Sequence, residues 1–212
     1  CVAEVMSKAG RIDVLVNNAG YALIGPMIDL PIDDLRRQFE TNVIGLMALT
    51  KSVVPHMIKE RLGLVVNIAS VSGICATPFA GAYCSTKAAV NLLSTSLRIE
   101  LAPLGIDVVT VQPGAIKSDF GKAAMHNIRL SPKSVYTPLV RHIEARAMSS
   151  QKDPTSAEEF SSQLVDKLFS KRIPKIIRLG KSSTRLPLVA SLPAGRFDKI
   201  MTRMFGLDKL RP

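Results

Sequence analysis

The chain has 212 residues, with 28 Lys and Arg against 17 Asp and Glu, which gives a formal net charge of +11. A hydrophobic content of 47% with 21% charged residues is that of a globular protein, and no run of about 18 uncharged apolar residues suggests a membrane-spanning helix. Basic residues become more frequent after Lys117, in a region with few aromatic side chains and no recognisable nucleic-acid module. We therefore expect anionic lipid or a phosphorylated cofactor or substrate as partner, and no nucleic acid.

The first predicted elements are a helix end, a strand and a long helix. The opening residues are typical of the last turns of a helix that stops at Gly10, and the apolar run Ile12 to Asn17 predicts a buried strand. A loop rich in Gly and Pro follows over residues 18–31. Helical spacing then predicts a helix from Ile32 to Glu60, which Pro55 should kink or end.

Shorter apolar runs and helices alternate along the rest of the chain. Strands are predicted at Leu64 to Ala69, Asp107 to Gln112 and Lys175 to Leu179, and helices at 80–101, 138–149, 155–169 and 197–205. A capping box of Thr155 and Glu158 should open the third of these helices. Buried strands that alternate with long helices predict an α/β fold, with a parallel sheet between two helical layers.

The strongest chemical signal is the segment Tyr83-Cys84-Ser85-Thr86-Lys87 at the start of a helix. Tyr83 and Lys87 are four residues apart and therefore share one helical face. A lysine ammonium about 6 Å from a phenol, at an effective dielectric near 20, favours the phenolate by roughly 2.8 kcal/mol, or about two pK units. Ser70, at the end of a strand, can bond the same substrate oxygen. Taken alone, such a pair is usually a solvated helix face.

Five motifs, in this order and spacing, resemble those of the short-chain dehydrogenase/reductase family over residues 12–114. They are the segment Asn17-Asn18-Ala19-Gly20 after a strand, Asn42 in mid-helix, Ser70 at a strand end, Tyr83 with Lys87, and Pro113-Gly114 after the third strand. The resemblance implies a Rossmann-like doubly wound parallel sheet in a three-layer α/β/α arrangement. It also implies an NAD(P)-dependent oxidoreductase that interconverts an alcohol and a carbonyl.

The resemblance also implies catalytic roles for four of these residues. Tyr83 would be the general acid/base, and Ser70 would polarise the substrate oxygen. Lys87 would bind the nicotinamide ribose hydroxyls and lower the pKa of the tyrosine. Asn42 would hold, through its backbone carbonyl, a water that links Lys87 to solvent.

Further positions would bind the cofactor, which is NADP or NAD with NADP favoured. Tyr83 and Lys87 would contact it from the catalytic helix. The other implied cofactor-binding residues are Asn18, Ala19 and Gly20 on the adenosine side, Pro113, Gly114 and Ile116 beside the nicotinamide, and Ser118, where the family often has threonine. No metal site is expected, because the carboxylates are scattered and the histidines have no ligand spacing.

One part of the family pattern does not occur in the sequence. The Gly-rich phosphate-binding turn TGxxxGxG and the residue that selects NAD or NADP are absent. We therefore expect an N-terminally truncated fragment whose sheet lacks its first strands. Within it, residues 1–180 should form the NAD(P)-binding catalytic domain and residues 181–212 a basic amphipathic tail.

Substrate and partners can be narrowed only to classes. Ile74, Phe79 and Met125 should line an apolar pocket under a long lid, which favours a lipophilic substrate such as a steroid, retinoid or acyl-lipid. The tail loosely resembles those of lipid- and steroid-acting family members. It either rests peripherally on a membrane surface or packs on the body or at a subunit contact.

The cellular setting follows from cysteine usage and from the family. Cys1, Cys75 and Cys84 have no paired spacing, so we expect a reducing, cytoplasmic location. The family tendency predicts a homo-oligomer that associates through the long helices. Two other functions stay open: a catalytically silent binding or regulatory protein with this fold, and an epimerase or dehydratase acting on a nucleotide-sugar.

Overall fold

In the computed structural model, which describes residues 1–210, four strands form one parallel sheet in the order β1-β2-β3-β4. The strands are β1 (Val14–Asn17), β2 (Gly63–Ile68), β3 (Ile106–Pro113) and β4 (Ile176–Leu179). The two central strands are buried along most of their length, which is why their sequences are continuous apolar runs rather than alternating ones.

Helices cover both faces of the sheet. They are α1 (Val2–Ala9), α2 (Ile32–Phe39), α3 (Gly45–Glu60), α4 (Gly81–Leu101), α5 (Phe120–His126), α6 (Val140–Ala147), α7 (Ala157–Leu168), α8 (Arg185–Ala190) and α9 (Ala194–Met204). Val65 of β2 packs with residues of α3 and α4, whereas its neighbour Val66 packs with residues of α7. Because successive strand residues point to opposite faces, this pairing makes three layers and confirms the predicted α/β/α class.

The helix predicted from Ile32 to Glu60 is interrupted, but not where the proline suggested. It does not end at Pro55: α3 continues past it to Glu60, and Arg61 closes it in the left-handed conformation at φ 50°. The irregularity lies instead at Glu40–Ile44, a π-helical turn that joins α2 to α3. Such turns insert one extra residue into a helix and are frequent at functional sites.

The predicted capping box of α7 is displaced by one residue. Ser156, not Thr155, is the N-cap, and its hydroxyl accepts a hydrogen bond from the Glu159 N–H at 3.1 Å. Thr155 is occupied elsewhere, because its hydroxyl accepts from the Lys181 N–H at 3.0 Å and its carbonyl accepts from the Lys117 N–H at 2.8 Å.

The C-terminal segment lies against the body of the protein. Met201 and Phe205 on one side of α9 are buried in the same apolar cluster as Phe79 and Tyr83. The amphipathic helix predicted for residues 197–205 is therefore present as α9, with its apolar side turned inward. Within residues 1–210, no helix is both long enough and apolar enough to cross a membrane.

Candidate active site

The candidate residues gather at one edge of the sheet because the strands are parallel. β1, β2 and β3 end at Asn17, Ile68 and Pro113, and their carboxyl ends face the same way. Asn18 and Ser70 follow the first two of these strands within two residues. Ligands of open α/β sheets bind at this edge.

Helix α4 brings two polar side chains, Tyr83 and Lys87, into the interior at the edge. Tyr83 is 8% exposed and Lys87 is 5% exposed, so neither side chain lies on a solvated helix face. The Lys87 ammonium lies 6.0 Å from the centroid of the Tyr83 ring and donates a hydrogen bond to the Ile68 carbonyl at 2.7 Å. The pairing of these two groups on one face agrees with their four-residue spacing.

Burial shifts the pKa of both Tyr83 and Lys87. It lowers the pKa of Lys87 to about 8, because a buried ammonium loses its hydration. It raises the pKa of Tyr83 to about 12, while hydrogen bonding from Ser70 and the positive charge of Arg146 act in the opposite direction. Desolvation of the phenol outweighs these favourable contacts, and the predicted lowering of its pKa by Lys87 stays a prediction.

Ser70 is held by the tight turn that follows β2. Its hydroxyl oxygen accepts a hydrogen bond from the Ser72 N–H at 3.0 Å and so caps the short 3-10 helix Val71–Gly73. The residue is 7% exposed, and hydrogen bonding by its side chain lowers the pKa of Tyr83 against the effect of burial. A substrate oxygen at this point can therefore meet two hydroxyl groups at once.

Asn42 lies in the π-helical turn and connects the loop after β1 to helix α4. Its amide nitrogen donates to the Tyr21 carbonyl at 2.9 Å and to the Thr86 hydroxyl at 3.0 Å, and its amide oxygen accepts from the Tyr21 N–H at 3.1 Å. A Cβ added at Gly20 would lie 3.1 Å from Asn42 Oδ1 and 3.6 Å from Lys87 Nζ. The glycine therefore keeps the backbone close to the lysine. The predicted water-holding role of the Asn42 carbonyl stays a prediction.

The segment after β3 runs along β4 before it returns toward Tyr83. A Cβ added at Gly114 would lie 2.0 Å from the Lys181 carbonyl oxygen, so only glycine fits there. Ile116 forms a bridge with Thr155. Ser118 accepts a long hydrogen bond of 3.4 Å from the Phe120 N–H, and the ring centroid of Phe120 lies 5.5 Å from that of Tyr83.

The structure thus brings together some of the predicted residues more tightly than others. Gly20, Asn42, Ser70, Tyr83 and Lys87 form one connected group through the contacts above. Asn18 and Ala19 are exposed at the same sheet edge, while Pro113, Gly114, Ile116 and Ser118 form a neighbouring segment attached to β4 and α5.

The predicted apolar pocket is more closed than expected. Phe79 is 4% exposed, and its ring makes edge contacts with Tyr136 and Phe205, each at 6.1 Å between centroids. Its φ of 65° is uncommon for a residue other than glycine. Met125 packs against the same cluster, and Ile74 is half-buried. Phe79 is therefore a packing residue that joins the loop between Ser70 and Tyr83 to the C-terminal segment, not an exposed pocket wall.

Sequence reasoning missed a buried polar chain beneath the site. Asn17 donates to the side chains of Thr50 at 3.0 Å and Asn67 at 2.8 Å, and Asn67 donates to Ser94 at 2.9 Å. This chain connects α3, β1, β2 and α4. The signal was available, because each of two apolar strands carries an asparagine and the two are register partners.

Comparison with known proteins gives a consistent result. The family described as short chain dehydrogenase matches residues 1–129. An uncharacterised oxidoreductase of Bacillus subtilis, YusZ, is 33% identical over 189 residues, which covers 86% of this chain and 67% of that protein.

Solved structures that resemble this chain agree with the family match. A short-chain dehydrogenase from Streptomyces avermitilis superposes with a TM-score of 0.77 at 30% identity, covering 98% of this chain and 73% of that one. The protein ElxO, solved with NADP bound, gives a TM-score of 0.53 at 38% identity over 55% of this chain and 47% of that one. Among the curated relatives compared, the chain spans from 38% to 76% of their length.

Proposed function

The chain belongs to the short-chain dehydrogenase/reductase family, and from that premise we propose that the protein transfers hydride between NADP or NAD and an alcohol or carbonyl group. The observation that carries this proposal is the buried pair of Tyr83 and Lys87 with the Ser70 hydroxyl beside the phenol. Burying a lysine is costly, and a purely structural or regulatory protein has no need of it.

The residues at the sheet edge fit a nicotinamide cofactor. Gly20 leaves its backbone open beside Lys87 Nζ, and the lysine has two N–H groups beyond the one that bonds the Ile68 carbonyl. Those donors suit ribose hydroxyls, with Asn18 and Ala19 alongside. When bound, the nicotinamide supplies or accepts the hydride. NADP is favoured, which agrees with the NADP bound to ElxO.

In the reductive direction, the phenol of Tyr83 donates its proton to the substrate oxygen. The pKa of about 12 means that the phenol is fully protonated at neutral pH, as a general acid must be. The Ser70 hydroxyl donates a hydrogen bond to the same oxygen and holds it at the phenol. The Lys87 ammonium stabilises the phenolate that remains, and Asn42 fixes the loop and helix on which the pair depends.

We propose a lipophilic substrate, because the side chains near Tyr83 are apolar. Phe120 contacts the Tyr83 ring, and Met125 and Leu186 pack partly buried against the same cluster. In assays that follow oxidation of NADPH, we expect a steroid ketone or long-chain ketone to have a KM at least about tenfold lower than a sugar of equal carbonyl reactivity. Turnover of a nucleotide-sugar without net cofactor oxidation would instead support the epimerase alternative.

We propose further that residues 1–180 act as the catalytic domain and that the tail, residues 181–212, contacts anionic membrane surfaces. The outer side of α9 supports this, because Ile200 is 38% exposed and Met204 61% exposed on a helix that also carries Arg196 and Arg203.

Flotation with vesicles of phosphatidylserine tests the tail contact. We expect bound protein at low salt and about tenfold less binding after Ile200→Asp and Met204→Asp together, since both remove apolar contact. Arg11→Gln, far from the tail, is the matched control. Wild-type protein that stays unbound on these vesicles would dismiss the membrane contact.

We also propose a cytoplasmic homo-oligomer. Leu92 and Ile99 on α4 are 72% and 62% exposed, and Leu49 on α3 is 38% exposed, which supplies apolar surface for association of the two long helices. The free thiols of Cys75 and Cys84 are both buried and fit a reducing compartment.

A further inference from the structure

Arg146, on α6, has no carboxylate partner among residues 1–210. None of the ion pairs within residues 1–210 involves it. Its Nε donates to the Thr77 hydroxyl at 2.8 Å, and one Nη1 N–H donates to the Ser149 hydroxyl at 3.0 Å. A guanidinium has five N–H groups, so three have no acceptor among the described residues.

Arg146 is hydrogen-bonded to a residue of the loop that precedes Tyr83. Thr77 is 8% exposed and lies on the loop between Ser70 and Tyr83. The Thr77 hydroxyl oxygen is 3.8 Å from the sulfur of Cys84, the residue after Tyr83. The positive charge of Arg146 also lowers the pKa of Tyr83, against the larger effect of burial.

Arg146 lies on α6 and its partner Ser149 follows that helix, and neither residue is among those expected to hold the cofactor. Helix α6 packs Ile143 and Ala147 into the apolar cluster that includes Phe79 and Tyr83. A half-buried guanidinium at the rim of an apolar cluster is stable only if an anion or water completes its hydrogen bonds. Its planar fork of donors matches a carboxylate or a phosphate.

We propose that Arg146 binds an anionic group of the substrate, a carboxylate or a phosphate, while the partly buried apolar side chains at the edge of the cluster, such as Phe120, Met125 and Leu186, contact the rest of the molecule. The inference rests on the proposed function for its substrate and names that substrate as an amphiphile with one negative end. Thr77 and Ser149 are positioning residues that hold the guanidinium. The net charge of +11 favours the approach of such an anion.

Measuring the binding of anionic ligands directly tests this proposal independently of hydride transfer. Isothermal titration would measure decanoate, dodecyl phosphate and the uncharged methyl decanoate against wild-type protein, Arg146→Gln and Arg146→Lys. We expect Arg146→Gln to weaken the preferred anion about 10- to 100-fold and to leave methyl decanoate within about twofold, because only the anion loses a charge-assisted pair of hydrogen bonds. Arg146→Lys should lie between, since it keeps the charge without the fork.

Arg141→Gln is the matched control, because it removes an exposed arginine from the same helix and should leave all three affinities unchanged. Tighter binding of decanoate than of dodecyl phosphate assigns the site to a carboxylate, and the reverse assigns it to a phosphate. Equal affinity of wild-type protein for decanoate and its methyl ester, or equal anion binding by wild type and Arg146→Gln, would overturn the proposal. Neither result depends on turnover, so the oxidoreductase proposal stands or fails separately.

Discussion

Replacing Tyr83 with Phe is expected to lower kcat about 10²- to 10⁴-fold, the range that general acid catalysis provides. The ring and its contact with Phe120 are retained, and only the hydroxyl that gives the proton is lost. Stability should change by no more than about 1 kcal/mol, because the phenol is deeply buried and has few polar partners to lose. Initial rates of NADPH oxidation with a saturating lipophilic ketone measure the effect.

Tyr136→Phe is the matched control for this experiment. Tyr136 makes the same kind of edge contact with Phe79 as a phenylalanine would, and it has no expected part in proton transfer. Its activity should stay within about twofold of wild type. A Tyr83→Phe protein that turns over substrate at the wild-type rate would refute the assignment of the proton donor.

The second large effect concerns Lys87, whose loss should act on activity and on the pH dependence of stability. Replacing Lys87 with Met removes the ammonium that stabilises the phenolate and binds the ribose, so we expect kcat/KM to fall by about 10²-fold or more. Lys59→Met, at an exposed site on α3, should leave kcat/KM unchanged.

The pKa of Lys87 also predicts how the stability of wild-type protein, relative to Lys87→Met, depends on pH. The folded state binds this proton with a pKa of about 8, whereas an unperturbed lysine has its pKa at 10.5. The unfolded chain therefore holds more protons between these values, and the penalty for burying the charge is complete below pH 8 and is relieved as the pH rises.

Urea unfolding at pH 7.5 and pH 9.5 measures this effect. Relative to Lys87→Met, wild-type protein should gain stability between the two pH values, with a slope of at most about 1.4 kcal/mol per pH unit. Both pH values lie below 10.0, the ordinary pKa of tyrosine. Above that pH, ionisation of Tyr83 in the unfolded chain would lower the stability of the folded protein. A constant difference between the two proteins would show that the lysine is not buried as a charged group.

Much of the fold could be predicted because the central strands are buried on both faces. The apolar runs in β2 and β3 are continuous, and the residues that end them lie at the carboxyl edge by the geometry of parallel strands. The grouping of Ser70, Tyr83 and Lys87 followed from the same rule together with helical spacing. Sequence order was sufficient for these features.

Other features depend on tertiary contacts that local sequence patterns do not predict. Pro55 was expected to stop a helix, but α3 continues past it and the irregularity lies at Asn42 instead. Thr155 has a capping residue's chemistry, yet its hydroxyl is used by the Lys181 N–H. The raised pKa of Tyr83 also required knowledge of burial, because a charge pair and desolvation have opposite signs.

Arg146 is the clearest example of a residue whose role could not be predicted from the sequence. It lies 63 residues after Tyr83 in a stretch with weak periodicity, and no local pattern distinguishes it from the other arginines of the chain. Only the folded structure shows that its partners are the hydroxyl groups of Thr77 and Ser149 and not a carboxylate. Specificity residues of this kind come from segments that the core does not constrain.

The central claim is tested most directly by following the transferred hydrogen. NADPH labelled with deuterium at the reducing carbon of the nicotinamide would be incubated with the protein and a lipophilic ketone, and the alcohol product analysed by mass spectrometry. We expect one deuterium on the carbinol carbon, and none taken up there from deuterated water when unlabelled NADPH is used. A product that carries its new carbon-bound hydrogen from solvent, or no alcohol with any carbonyl compound tested, would contradict it.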